Sequence, residues 1–384
     1  MALLESNRQR ILVSVDWFPP AYRAGGPIRS TYNLVSLLCQ THDVWVVCGA
    51  YDLGKDEPLD VPLNVWNEVA CGSGQIQAMH WTKSNWNTAS WSRVLTEIEP
   101  DWIHLNSVFS KHFTLMPLRA ARKMPSVRIA MAPRGMLGVA ALSLKPLKKR
   151  IFLSYARATG LFRDIRWHAS TATERDEVRG QFMGADCRIA QNIPGGMILN
   201  NWSRDQSHWH VVSVGRIHRV KNLHFGLEAL LNAASSRPVK LTFIGPVEDA
   251  GYQEELMVMA KNQDRVEVEF VGGMPPTALG PYWQKAHYLL SSTTQENFGH
   301  SIVEAWANGC PVLISDRTPW RELEAKGIGW DWPLERATWL RGLEAALNVD
   351  SMEWQRLSDN ARSFFDAEVR NPEIEEANLN LFQP

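Results

Sequence analysis

Cysteine is scarce and unpaired: the 384 residues hold five, Cys39, Cys48, Cys71, Cys187 and Cys310, with no CxxC spacing. Most stand beside apolar residues, which suits small buried thiols in a reducing compartment and excludes a disulfide framework or a cysteine-based zinc site. Long apolar runs are missing as well. Without about twenty consecutive uncharged apolar residues, no membrane-crossing helix is expected. The first ten residues contain no signal-peptide core, and Ile11–Val15 is too short and leads straight into Asp16. A cytoplasmic location follows as the expectation. There is no GxGxxG, and no acidic residue at the distance a nicotinamide enzyme needs. No Asp-x-Asp stands at a strand end, so no metal and no cofactor is expected. Neither internal repeats nor low-complexity tracts occur.

What is present is a soluble composition, 45% apolar and 21% charged, long enough for two ordinary domains. The net charge of −1 conceals an asymmetry: residues 1–200 hold 23 basic against 16 acidic residues, and the remainder 17 against 25. A basic first half fits an anionic partner such as a phospholipid surface or a pyrophosphate-bearing acceptor, although halves of ordinary chains also differ by a few charges. Nothing points to nucleic acid.

Apolar strands alternate with amphipathic helices along the chain. Strands are expected at Ile11–Val15, Val44–Cys48, Trp102–Leu105, Val127–Met131 and Ile165–Ala169, with Tyr51–Asn87 irregular. A polar stretch, Asn192–Gly196 and Asn200–Ser207, reads as a linker. The alternation restarts with strands at His210–Val214, Lys240–Ile244, Val266–Val271, His287–Leu290 and Pro311–Ile314, and helices including Asn222–Ala234 and Tyr252–Asn262. This is the pattern of α/β domains with parallel sheets. The expected division is 1–200, 201–365 and a tail, 366–384, packing back on the first domain. Leu142–Phe162 reads as one basic amphipathic helix, with Lys145, Lys148, Lys149, Arg150 and Arg157 among Leu144, Leu147, Ile151, Phe152 and Leu153. Such a helix either lies on an anionic membrane as a peripheral contact or buries its apolar side in the core.

The most informative stretch is Ser292–Trp320. Here a strand gives way to a loop carrying Glu296, then to a helix over His300–Ala307 opened by Gly299 and containing Glu304, then to a second strand. A helix amino terminus suits a phosphate. Two carboxylates beside it suit neutral hydroxyls, accepting charge-assisted hydrogen bonds from sugars. On spacing alone, a solvated loop glutamate and a helix-surface glutamate fit equally well. Upstream, Gly215-Arg216 ends a strand and Lys221-Asn222 opens a helix. Two cations at a strand's carboxyl edge suit a diphosphate leaving group, where negative charge builds as the glycosidic bond breaks.

Taken in order, Gly25-Gly26-Pro27, Pro133-Arg134-Gly135-Met136-Leu137, Gly215-Arg216 with Lys221-Asn222, Gly245-Pro246 and the Glu296/Glu304 block resemble the family-4 retaining glycosyltransferases over nearly the whole chain. That resemblance implies the GT-B fold, with two Rossmann-like domains facing a cleft. It implies a nucleotide-sugar co-substrate and a glycan or lipid-linked acceptor. Arg216, Lys221 and Glu296 take the catalytic roles. Gly25, Gly26, Gly215, Gly245, Pro246, Asn297, Phe298, Gly299, His300 and Glu304 would bind the donor, Glu296 meeting the sugar and Glu304 the ribose. Arg134 and His168 are acceptor-side candidates, Arg134 either clamping an anion or pairing with a nearby acid. A nucleotide-sugar 2-epimerase and a non-catalytic sugar-binding protein are the rivals, and the retained charged pairs argue against both.

Overall fold

The computed structural model describes residues 8–195, 198–199, 202–261 and 263–383. The first seven residues, Gly196, Asn200 and Asn201 of the expected linker, and Asn262 at an expected helix end lie outside them. Contacts divide the chain into two units: residues 1–21, 27–193 and 372–384, and residues 22–26 with 194–371.

The first unit is built on β1 (Arg10–Val15), β2 (Asp43–Gly49), β3 (Asn67–Cys71), β4 (Gly74–Trp81), β5 (Trp102–Asn106), β6 (Arg128–Ala132), β7 (Arg166–Ala169) and β8 (Cys187–Ile189). They form one sheet in the order β3-β4-β2-β1-β5-β6-β7-β8. Every pairing is parallel except β3 with β4. The central strands are apolar runs with no polar alternation, because helices cover both faces; Ile11, Leu12 and Val13 are wholly buried. The stretch expected to be irregular holds the β3–β4 hairpin and, after it, a helix at Thr88–Ile98. β3 is a short edge strand alternating half-buried and exposed residues up to the buried Cys71, and it turns through Gly72 at φ +59°. Only one of its faces is covered, so its apolar content is too low to stand out in the sequence.

The expected helix over Leu142–Phe162 is two helices, Val139–Ser143 and Pro146–Ala158. Lys145 takes a left-handed conformation at φ +54°, and Pro146 opens the second helix at its first position. Proline has no N–H and restricts the residue before it, so the helix cannot run through. A last helix, Pro372–Asn380, and the residues after it pack on this same unit. Asn378 donates to the Gln191 carbonyl at 2.9 Å, Arg166 donates to the Leu381 and Gln383 carbonyls at 3.0 and 2.6 Å, and the Phe382 ring meets Trp102 and His104 edge-on.

The second unit carries β9 (Trp209–Val214), β10 (Val239–Ile244), β11 (Val266–Gly272), β12 (Tyr288–Ser291), β13 (Val312–Ser315) and β14 (Gly329–Trp332). The sheet is wholly parallel, in the order β11-β10-β9-β12-β13-β14. Numbered within the unit this is 3-2-1-4-5-6, the Rossmann order. Consecutive strands spread to opposite sides of β9 and β12, so the crevice at the carboxyl ends of these two is the topological switch point where such sheets bind ligands. Among the described residues no helix is long and apolar enough to cross a membrane.

Candidate active site

Three loops meet at that switch point. The turn after β9 ends in a left-handed Asn222 at φ +52°. Its carbonyls hold the loop after β12: Ser292 Oγ donates to Asn222 O at 2.7 Å, and the Thr293 and Thr294 hydroxyls donate to Val220 O at 3.2 and 3.1 Å. From the other side Ser315 Oγ, at the end of β13, donates to Thr293 O at 2.6 Å, and Glu296 N–H donates to Arg317 O at 2.9 Å. These small hydroxyl residues carried no signal of their own in the sequence.

The stitching brings Lys221 to Glu296, with Nζ donating to Oε2 at 2.6 Å and both side chains about three-quarters buried. Burial alone would raise the Glu296 carboxyl. The Lys221 ammonium, by charge and hydrogen bond, together with His300 and the Asn297 N–H, holds it below its ordinary value of 4.5. Arg216 donates through Nη1 to Glu248 Oε2 at 2.5 Å. The helix His300–Ala307 opens on Gly299 at φ +81°, where a Cβ would stand 2.7 Å from Ile302 Cδ1 and glycine is therefore required. No side chain caps that terminus. Glu304 lies in the helix with 4% exposure. The Phe298 ring is buried between His300 and Trp320, and its carbonyl accepts from Trp320 Nε1 at 2.5 Å. Gly25, at φ +68°, and Gly26 belong by their contacts to this unit, and a Cβ on Gly26 would lie 3.9 Å from His300 Cδ2.

Gly245 and Gly273 stand where backbone packs on backbone. A Cβ on Gly245 would fall 1.8 Å from the Gly215 carbonyl oxygen, and one on Gly273 would meet Pro246 at 2.9 Å. The turns after β9, β10 and β11 are packed backbone to backbone, and Pro246 O accepts from Ile217 N–H.

Arg134 and His168 belong to a buried chain of hydrogen bonds at the carboxyl ends of β5, β6 and β7. Arg134, at φ +54°, donates from Nε and Nη2 to Asn106 Oδ1 at 3.2 and 3.0 Å, and from Nη1 to Asn192 Oδ1 at 2.8 Å. These hydrogen-bond partners are neutral amides, neither an acid nor an anion. Burial pushes the guanidinium down to about 10, with Glu174 opposing. His168 Nε2 faces the Ala190 carbonyl at 2.9 Å and must donate. Its Nδ1 therefore accepts from His104 Nε2, and His104 Nδ1 accepts from the Asn106 amide, each at 3.3 Å. Both rings are thereby neutral. Burial and Arg134 push His168 down to about 3 and hold His104 well below its usual range. With 2% exposure His168 is an internal link of this network. His104 and Asn106 were missed, although two polar residues inside the apolar run Trp102–Leu105 and its exit were a visible signal. The Glu174 carboxylate accepts from Gly135 N–H at 2.5 Å and from the Ser170 N–H and hydroxyl.

Residues 199–334 match the family model described as Glycosyl transferases group 1. The match spans the switch point with its Lys221–Glu296 and Arg216–Glu248 pairs. A curated relative, a D-inositol 3-phosphate glycosyltransferase of Gordonia bronchialis, is 26% identical over 167 residues, covering 38% of this chain and 36% of the relative. The match thus spans about a third of the relative's length. Among solved structures, sucrose-phosphate synthase from Thermosynechococcus elongatus superposes with a TM-score of 0.73 at 16% identity over 98% of both chains. Anabaena Alr3699/HepE, solved with UDP and glucose, gives 0.68 at 15% identity over 96% and 98%. WaaG, a glycosyltransferase involved in lipopolysaccharide biosynthesis, gives 0.67 at 18% over 97% and 99%. The chain shares their GT-B fold.

Proposed function

We propose that the chain transfers a sugar from a nucleoside-diphosphate sugar to an acceptor with retention of anomeric configuration. The observation that carries this reading is the Lys221–Glu296 pair at the switch point of the group 1 domain, beside an uncapped helix terminus and the buried Glu304. In this account Lys221 and Arg216 face the diphosphate, aided by the N–H groups at the start of the His300–Ala307 helix. Phosphate replaces the carboxylates of their present partners, Glu296 and Glu248, as counter-charge. Turned from Lys221, Glu296 accepts from a hydroxyl of the donor sugar, with His300 and the Asn297 N–H still favouring its ionised form. Glu304 accepts from the ribose. As the glycosidic bond breaks, the two cations offset the charge growing on the leaving phosphate, which takes the acceptor's proton. The amino-terminal unit holds the acceptor, and the reaction proceeds without a divalent metal.

A specific observation also favours contact with an anionic membrane. The helix Pro146–Ala158 exposes Leu147, Ile151 and Tyr155 at 70%, 62% and 53%, a four-residue spacing that puts them on one face beside Lys148 and Arg150. An apolar stripe flanked by cations suits the interface of an anionic bilayer, and an acceptor carried on lipid would be met there.

The test is a thermal-shift screen of nucleotide sugars with EDTA present, followed by assignment of the product's anomeric configuration by NMR. A stabilising donor and a product of unchanged configuration are expected. No response to any nucleotide sugar, an inverted product, or activity that returns only with magnesium or manganese contradicts the corresponding part of the proposal.

A further inference from the structure

A large cavity of about 1170 Å³ lies in the first unit, away from the strand ends described above. Its wall includes Trp102, Arg128 and Arg166, which begin β5, β6 and β7, and Asp186, which precedes β8. It therefore opens at the amino-terminal edge of the sheet, whereas Asn106, Arg134 and Ser170 lie at the carboxyl edge.

Its chemistry is lopsided. Five arginines line it, Arg128, Arg157, Arg163, Arg166 and Arg179, against Asp164 and Asp186 as the acids. Among the described residues the ion pairs at the cavity are those of Arg166 and Arg188, both with Asp186. Arg157 reaches only the neutral Gln181 and Ser154. The floor is apolar, formed by Phe162, Ile165 and Val127, each at most 8% exposed. Trp102 carries Arg128 and Arg166 over its ring at 5.1 and 4.9 Å, and its buried indole N–H finds no acceptor among the described residues. Unneutralised guanidinium groups around an apolar floor attract an anion more strongly than the same groups in water would. Their planar forks match phosphate oxygens in pairs.

We propose that this arginine-lined cavity binds a phosphate-bearing ligand, at a second anion site separate from the switch point of the glycosyltransferase domain. The phosphate comes either from a lipid headgroup or from a soluble phosphate ester. The site does not depend on the transferase chemistry, since no residue placed at the switch point lines it; Ala156 and Arg157, at the end of the helix Pro146–Ala158, do.

The test uses the full chain and a triple variant, Arg128→Gln with Arg163→Gln and Arg179→Gln; Arg166 is spared because it holds the carboxy-terminal residues. Binding is measured by sedimentation with phosphatidylcholine vesicles, with and without phosphatidylglycerol, and by calorimetry with inorganic phosphate and glycerol phosphate. Each arginine near a charged surface is worth about a factor of five, so the triple variant should lose on the order of a hundredfold in affinity. Loss confined to the anionic vesicles assigns the lipid source, and loss confined to the soluble probes assigns the free ester. Nucleoside-diphosphate affinity should be the same in both proteins, which keeps this result apart from failure of the transferase site. Should the glutamines prevent folding, the corresponding triple lysine variant keeps the charge but not the fork, and should retain vesicle binding while losing glycerol phosphate. A wild type that binds neither class of probe, or a triple variant that binds both as the wild type does, overturns the proposal.

Discussion

Both sheets run six parallel strands in one order, β4-β2-β1-β5-β6-β7 in the first unit and β11-β10-β9-β12-β13-β14 in the second, yet their switch points are furnished in opposite ways. In the second unit the strand ends are glycines and ion pairs, Lys221 with Glu296 and Arg216 with Glu248, partly open to solvent. In the first, a cation is sunk among neutral amides and two neutral imidazoles. Exchangeable charge suits a ligand that brings its own charge, and the satisfied buried network suits rigid support. One backbone layout thus carries two kinds of chemistry, and the difference lies in the side chains at the strand ends and in the loops that follow them.

The largest expected effect tests the shared part of the comparison. In both units a glycine at the end of the second strand packs on the carbonyl that follows the first. A Cβ on Gly245 would meet Gly215 O at 1.8 Å, and one on Gly49 would meet Asp16 O at 2.9 Å. Gly245→Ala should cost more than about 4 kcal/mol, in the exceptional range for single substitutions, and Gly49→Ala clearly less. Thermal unfolding of the two variants ranks them, and equal losses would mean that the two turns are packed alike.

Next come the exchangeable charges. Lys221→Ala and Arg216→Ala should each lower turnover by on the order of a hundredfold or more, as for removing a charge-stabilising donor; Lys221→Ala should also lower thermal stability more than Arg216→Ala, because it leaves the mostly buried Glu296 carboxylate unpaired. Initial rates beside melting curves separate the two readouts. Turnover within a few-fold of wild type in both variants would leave the ion pairs without a catalytic role.

A smaller effect isolates the neutral network. His168 is pushed from 6.5 to about 3 on folding, so the unfolded chain binds the extra proton between those values. Its contribution is complete above 6.5 and is lost as pH falls towards 3. At pH 5 this loss is on the order of 2 kcal/mol. His287 and His210, pushed to about 3 and about 4, act in the same direction in the other unit. His168→Gln supplies an N–H for Ala190 O and an acceptor for His104 without a titrating ring. The variant should therefore show a smaller drop in melting temperature between pH 7 and pH 5 than the wild type. An identical drop would show that His168 is not held neutral.

The strands flanking both switch points were legible because buried parallel strands are unbroken apolar runs, and the helix His300–Ala307 because Gly299 and Asn308-Gly309 punctuate it. β3, a half-covered edge strand, has no such signature. The break at Lys145-Pro146 was overlooked because the charge pattern runs on through it. At the site, Glu296, Lys221 and Arg216 were legible as residue types at set spacings. That Lys221 and Glu296 pair directly was not, because their loops lie 75 residues apart in sequence and are joined by hydroxyls from Ser292, Thr293 and Ser315. The hydrogen bond between His168 and His104 was not legible either, because a histidine at the end of a strand reads the same whether it faces solvent or another histidine.

The central claim is that the second unit's switch point divides a nucleotide sugar between two glutamates. Calorimetric titration of Glu296→Gln and Glu304→Gln with a nucleoside diphosphate, beside initial rates with the intact donor, tests it most directly. Glu304→Gln should weaken the free nucleotide by about 1–3 kcal/mol through loss of a charged hydrogen bond. Glu296→Gln should leave nucleotide affinity nearly unchanged and lower turnover, because its partner hydroxyl belongs to the transferring sugar. Loss of nucleotide in Glu296→Gln with none in Glu304→Gln would reverse the assignment, and no change in either would contradict the account.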